Sequence, residues 1–283
     1  MTLTLCMTGH FADYRQLGEA GCTRSDLDRA LASGAILRVR RGVYACAHSD
    51  LAARRAAAAG GMLTCVSVLR SIGVWGGHDR HLHIQLRPSS GHSRIPHGSR
   101  AHWEQPRFGT ESIARTTTKE ALWQAMRCLD VEHAMAAVES AWKLQFVSER
   151  DVKQLSSIAP RRLNWGLKRR VAVSGSGNET VVRLRLIRAG YQCEPQARVP
   201  GLGHQDLLVA DCVGLEIDSA EFHTDLELKD DSDRDLLSEG LGRHVLRIRP
   251  HHIYERWPQT LAVIDRAVKD GIALASLRDG RFR

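Results

Sequence analysis

Acidic side chains stand inside apolar runs between residues 204 and 218, where a carboxylate is costly. His204-Gln205-Asp206-Leu207-Leu208-Val209 is followed by Gly214-Leu215-Glu216-Ile217-Asp218. Strand side chains alternate between faces, so Leu215 and Ile217 point one way and Glu216 and Asp218 the other. Two carboxylates on one face cost free energy unless a cation, a proton or an arginine offsets them. Asp206 opens the preceding run, and a turn over 210–214 would fold it back towards Glu216. Hard oxygens from two neighbouring strands suit a divalent cation. The pattern therefore predicts Mg2+ (or Mn2+) held by Asp206 and Glu216, with the carbonyl of Ile217 beside them. Asp218 would hold a histidine or a second metal.

More residues of the same chemistry flank this hairpin. Glu221-Phe222-His223 follows, then Asp231-Ser232-Asp233-Arg234-Asp235. His223 is placed for general base or electrostatic work, since imidazole titrates near neutral pH. Arg234 could pair with Asp206, Glu216 or a phosphate; the acids around it also read as an ordinary acidic helix start. Upstream, Glu179 begins a helical run capped by Ser176 or Asn178 and stopped at Gly190. Positions 179, 182, 186 and 189 share one face of that helix. Glu179 alone reads as a first-turn carboxylate favoured by the macrodipole. Beside Asp206 and Glu216 it reads as a fourth catalytic group.

Asp206, Glu216-x-Asp218, Phe222-His223 and the Asp-Arg-Asp helix before Val245-Leu246-Arg247-Ile248 resemble the very-short-patch-repair-like endonucleases of the restriction-endonuclease-like superfamily. The resemblance covers residues 175 to about 260. It implies a mixed sheet flanked by helices and metal-dependent cleavage of duplex or mismatched DNA. It also implies catalytic roles for Glu179, Asp206, Glu216 and His223. The superfamily carries Glu-x-Lys where this chain has Glu216-x-Asp218, so the lysine role has no carrier here. The repair-like branch lacks that lysine too and uses a histidine near the metal.

The N-terminal fifty residues look different. Phe11–Ala20 reads as a helix ending at Gly21. Thr23-Arg24-Ser25-Asp26 is a capping-box start for a second helix to Gly34. Ile36-Leu37-Arg38-Val39-Arg40 and Val43-Tyr44-Ala45 then form a hairpin around Arg41-Gly42. Two helices and a basic hairpin make the winged helix-turn-helix pattern. The segment Gly34-x-Ile36-x-Arg38-x-Arg40-Arg41-Gly42-Val43-Tyr44 resembles the N-terminal domain of the abortive-infection type IV antitoxins. Arg24 and Arg29 on the second helix, with Arg38, Arg40 and Arg41 on the hairpin, are expected to touch DNA.

The middle of the chain reads as an α/β connector. Helices are expected over 50–59, 63–72, 118–142 with a break near Asp130, and 147–155; a strand is expected over 81–86. His78, His81, His83, His92, His97 and His102 lie here. His81 and His83 would share one strand face, as two metal ligands could, but with no cysteine or acid at a usual ligand spacing the six read first as a phosphate-contacting or solvated surface. Arg161 to Arg170 is a basic run; Arg169 and Arg170 could grip phosphates or simply be solvated. Ser174-Gly175-Ser176-Gly177 has linker composition.

The expected organisation is a winged helix at 1–48, an α/β connector at 49–160, a basic linker at 161–177 and a nuclease domain at 178–283. The fold class is thus α+β in the first domain and α/β after it. The 283 residues carry 40 Lys+Arg against 32 Asp+Glu, a formal charge of +8, which suits a polyanionic partner. Seven scattered cysteines without a Cys-x-x-Cys pair point to reduced thiols in the cytoplasm. No long apolar run calls for a membrane. Two functions follow: a Mg2+-dependent endonuclease or nickase, or an antitoxin-like transcriptional regulator with an inactive nuclease fold. The second would have a cognate toxin-like protein as partner.

Overall fold

The first strand forms where a helix was expected. Phe11–Asp13 is β1, and Phe11 and Ala12 bury their side chains there. Asp13 then caps α1 (Tyr14–Glu19) in a reciprocal box with Gln16, so the helix is shorter than its apolar pattern suggested. Thr23 and Asp26 make the same box at α2 (Arg24–Ala32), as the sequence indicated. Strands β2 (Ile36–Arg40) and β3 (Val43–Cys46) close a three-stranded sheet in the order β1-β3-β2. Gly42 takes a φ of 78° at the hairpin, a conformation open to glycine. Ala12, Leu17, Leu27, Ala30, Ile36 and Tyr44 pack as the small core.

This structure is a computed structural model and describes residues 10–88, 95–199, 203–218 and 244–280. It divides into two compact units. One holds the described residues up to Asp130 with Leu144–Pro160; the other holds Val131–Lys143 and the described residues from Arg161 on.

After the small sheet, the first unit continues through α3 (Leu51–Ala58), β4 (Met62–Leu63), α4 (Cys65–Ser71), β5 (Leu82–Gln85), β6 (Ser99–His102), β7 (Thr110–Ser112) and β8 (Arg115–Thr116). Its second sheet runs β6-β5-β4-β8-β7. Strands β5 and β6 are parallel, as are β4 and β8, while β4–β5 and β7–β8 are antiparallel. The expected helix over 63–72 gives up Leu63 to β4 and begins at Cys65, after Thr64 as its N-cap. The long helical stretch breaks at Asp130, as expected, into α5 (Thr118–Cys128) and α6 (Val131–Lys143). Helix α7 (Glu149–Ile158) follows, capped by Ser148 and Asp151.

The second unit takes α6 from the middle of the sequence. The run expected as a basic linker contains a 3-10 turn (Arg161–Leu163) and the short α8 (Asn164–Leu167), with Leu163, Gly166 and Leu167 buried. Helix α9 (Gly177–Arg188) is buried along most of its length, including Asn178, Glu179, Thr180 and Arg183. Strands β9 (Cys193–Val199), β10 (Gly203–Val209), β11 (Val213–Ile217) and β12 (His244–Ile248) form a mixed sheet in the order β12-β11-β10-β9. Strand β12, expected in the interior, has one partner strand among the described residues, and that pairing is parallel. Helices α10 (Pro250–Tyr254) and α11 (Trp257–Gly280) complete the unit.

Candidate functional site

The β10–β11 hairpin turns through Ala210 and Asp211, with φ of 48° and 57°, and Cys212 N donates to Val209 O at 3.1 Å. Two successive positive φ values make the tight turn, within a loop of three residues between the paired Val209 and Val213. The turn sets the pairs Leu207↔Leu215 and Leu208↔Gly214. Extending that register by one pair puts Asp206 beside Glu216, as the sequence predicted. Leu207, Val209, Leu215 and Ile217 are buried, while Asp206 and Glu216 are partly exposed.

Glu179 joins Asp206 through a third residue that sequence reasoning missed. The Gln196 amide donates to Glu179 Oε2 at 2.8 Å and to Asp206 Oδ1 at 3.4 Å. Gln196 has a φ of 53°, left-handed for a residue with a Cβ, and it stands opposite Asp206, between the pairs Gln205↔Ala197 and Leu207↔Pro195. The signal was Pro195-Gln196 inside an otherwise regular strand, a place where ladders break. Ile217 N donates to Asp206 Oδ2 at 2.7 Å, and Gly175 N to Glu179 Oε2 at 2.6 Å. A Cβ on Gly175 would stand 2.5 Å from Glu179 Oε1, so a side chain there would push this carboxylate from its place. Burial, and after it the charge of Asp206, raises the Glu179 carboxyl above its ordinary pKa.

Glu216 and Asp218 find arginines on the neighbouring strand. The parallel register sets Glu216 beside Arg247, and Arg247 Nη2 lies 3.0 Å from Glu216 Oε2. Arg249 Nε lies 3.6 Å from Asp218 Oδ2. This pairing was legible as matching alternation: acids at 216 and 218, arginines at 247 and 249. Asn178 ties the group to α9 and α10, donating to Asp218 O at 3.3 Å and accepting from the Tyr254 hydroxyl at 2.7 Å. His223 and Arg234 lie outside the described residues. The structure thus brings together Glu179 and Asp206, and it gives Glu216 and Asp218 their own cationic partners. Chemically, the Glu179–Asp206 pair offers hard oxygens that could hold a cation.

Among the basic residues, Arg24, Arg29, Arg38, Arg40 and Arg41 are all exposed on α2, β2 and the hairpin turn. Arg29 reaches Asp26 at 3.4 Å, an exposed pair worth little. Arg169 and Arg170 are partly buried. Arg169 stacks over Trp165 at 4.6 Å and donates to the Trp165 carbonyl, and Arg170 donates to Leu167 O. Both guanidinium groups therefore brace their own turn.

The histidines of the middle region divide. His78, His81 and His97 are exposed, but His83 is fully buried in β5 and His102 is half-buried in β6. For His83 the solvated surface is a misreading: a period-two strand alone does not say which face the next sheet neighbour covers.

The family model described as "Transcriptional regulator, AbiEi antitoxin" matches residues 7–47. Those residues span the small three-stranded sheet and its two helices. No curated protein matches the chain. No helix among the described residues is long and apolar enough to cross a membrane.

Proposed function

We propose that this chain is a DNA-binding transcriptional regulator of the antitoxin type. The family match over residues 7–47 carries that reading. The order strand, helix, helix, hairpin is compatible with a winged helix-turn-helix, in which α2 would enter the major groove and the hairpin would lie along phosphates. Arg24 and Arg29 stand on the first of these elements, and Arg38, Arg40 and Arg41 on the second. A net charge of +8 favours approach to DNA. The partner implied is a cognate toxin-like protein, and the compartment implied is the cytoplasm.

The test is duplex binding by the full chain, read by fluorescence anisotropy over a salt series. Each phosphate contact steepens the log–log salt slope by about 0.9, so Arg38→Ala with Arg40→Ala should flatten it by roughly two. An unchanged slope would move the DNA surface away from the hairpin.

A second reading makes the second unit a metal-dependent nuclease with a restriction-endonuclease-like sheet. One observation favours it: a buried Glu179 with a raised pKa sharing the Gln196 amide with Asp206. That donor set fits Mg2+ (or Mn2+) at Glu179 and Asp206. It fits less well at Glu216, where Arg247 already takes one oxygen. Bound there, the ion would polarise a scissile phosphate. The chain's own residues would do the rest: Gln196 and Gly175 orient Glu179, Ile217 N orients Asp206, and His223 would take a proton from water. Asp218 in place of the superfamily's lysine ranks this reading second.

A further inference from the structure

A second group of chemistry-bearing side chains lies in the first unit. Cys65 opens α4, His83 is central in β5, His102 ends β6 and Cys128 ends α5. One possible ligand atom from each lies within 4.8 Å of all the others. Cys65 and His83 are fully buried. We propose that these four residues form a closed structural site for Zn2+.

Two of the separations lie close to those of a coordination shell, and all fall within 4.8 Å. Zinc bonds nitrogen at about 2.0–2.1 Å and sulfur at about 2.3 Å in a tetrahedron. The edges of such a tetrahedron are about 3.3 Å between nitrogens and about 3.6 Å between nitrogen and sulfur. His83 Nδ1 stands 3.1 Å from His102 Nε2, and Cys128 Sγ stands 3.9 Å from His83 Nδ1. Cys65 reaches into the same space with a φ of 51°, a conformation that a residue with a Cβ rarely adopts.

The surroundings orient the ligands. His83 Nε2 lies 3.1 Å from Asp79 Oδ2, so the proton of a neutral ring sits on Nε2 and the Nδ1 lone pair faces the thiols. A carboxylate behind a ligating histidine is the usual outer shell of a zinc site. Asp79 is itself fixed, accepting from His81 N at 3.0 Å. Arg100 donates to Cys128 Sγ at 3.3 Å, a charge-assisted contact that favours the thiolate. Two thiolates and two neutral imidazoles neutralise a divalent ion. Their softness suits zinc over magnesium. His102 and Cys128 also line a surface cleft with Arg100, Trp103 and Arg127, which gives the ion a way in. Four protein ligands leave no open position, so the ion would tie α4, β5, β6 and α5 together and perform no reaction.

The full chain, purified without a histidine tag and dialysed, should carry about one zinc per molecule by elemental analysis. Titration of the stripped chain with Co2+ should give visible d–d bands of a tetrahedral thiolate site. Cys128→Ser and His83→Ala should each abolish stoichiometric binding, while Cys193→Ser leaves it intact. Zn2+ alone should raise the melting temperature of the stripped parent, a readout that needs no variant. A folded parent that takes up neither Zn2+ nor Co2+ overturns the proposal. So does full metal retention in the Cys128 and His83 variants. A Cys65–Cys128 disulfide in metal-free, freshly purified protein overturns it as well.

Discussion

Glu179 is a carboxylate whose environment resists its charge. Its pKa is raised first by burial and then by Asp206. A carboxyl that binds its proton more tightly in the folded chain adds stability below its unfolded-chain range. That contribution is lost as pH rises through the folded value, and at neutral pH the charge is a net cost. Glu179→Gln removes the charge and keeps an oxygen for Gly175 N and the Gln196 amide. The variant should therefore melt higher than the parent at neutral pH, and the two should converge as pH falls below the ordinary carboxylate range. Thermal melts across that range check it; a lower-melting variant at neutral pH would show that the fold prefers the carboxylate. Asp206 and Glu216 were legible because period-two alternation and one tight turn fix their register. Gln196 was not, because the one local signal, Pro195 within a strand, marks a ladder irregularity without saying which amide it brings between two acids. Nor was the Cys65–Cys128 cluster, whose members come from four elements and share no short spacing.

Elements were legible where a local cap or a strong period decided them. The Thr23–Asp26 box, the break at Asp130 and the β10–β11 turn all follow from neighbours in sequence. β1, β7 and β8 did not, since runs of two or three residues take their structure from the sheet they join. Helix α9 shows a different gap. Its pattern suggested one buried face, yet Arg183 is buried too, because α6 covers it with Glu139. Arg183 Nη2 lies 2.6 Å from Glu139 Oε1, with both side chains 2% exposed. Glu139 also accepts from Val171 N at 2.9 Å and from the Thr180 hydroxyl at 2.7 Å. Breaking such a pair leaves an uncompensated buried charge, which costs about 3–5 kcal/mol. Arg183→Met and Glu139→Leu should each lose stability on that scale in urea denaturation. The double variant should lose less than the two together, because neither charge is left alone. Simple additivity would mean that the two side chains act independently.

At the scale of the whole chain, two readings share one molecule and part on one assay. The N-terminal arginines serve both, since a regulator and a nuclease each need to reach DNA. The acids of the second unit distinguish them. In the regulator, Glu216 and Asp218 are balanced by Arg247 and Arg249 as structural pairs. Glu179 and Asp206 then share only the Gln196 amide and carry no chemistry, for a fold does not secure an activity. Supercoiled plasmid should then stay intact with Mg2+ or Mn2+, and Asp206→Asn should bind duplex DNA as the parent does. In the nuclease, the same plasmid is nicked only when a divalent ion is present, and Asp206→Asn loses that nicking by at least about a hundredfold, the scale of losing a metal's charge stabilisation. Arg38→Ala with Arg40→Ala weakens DNA binding under both readings and so serves as the control for targeting. The pairing of Glu216 with Arg247 favours the intact plasmid. Metal-dependent nicking that disappears with Asp206→Asn, in a variant that still melts cooperatively, would reverse the order of the two.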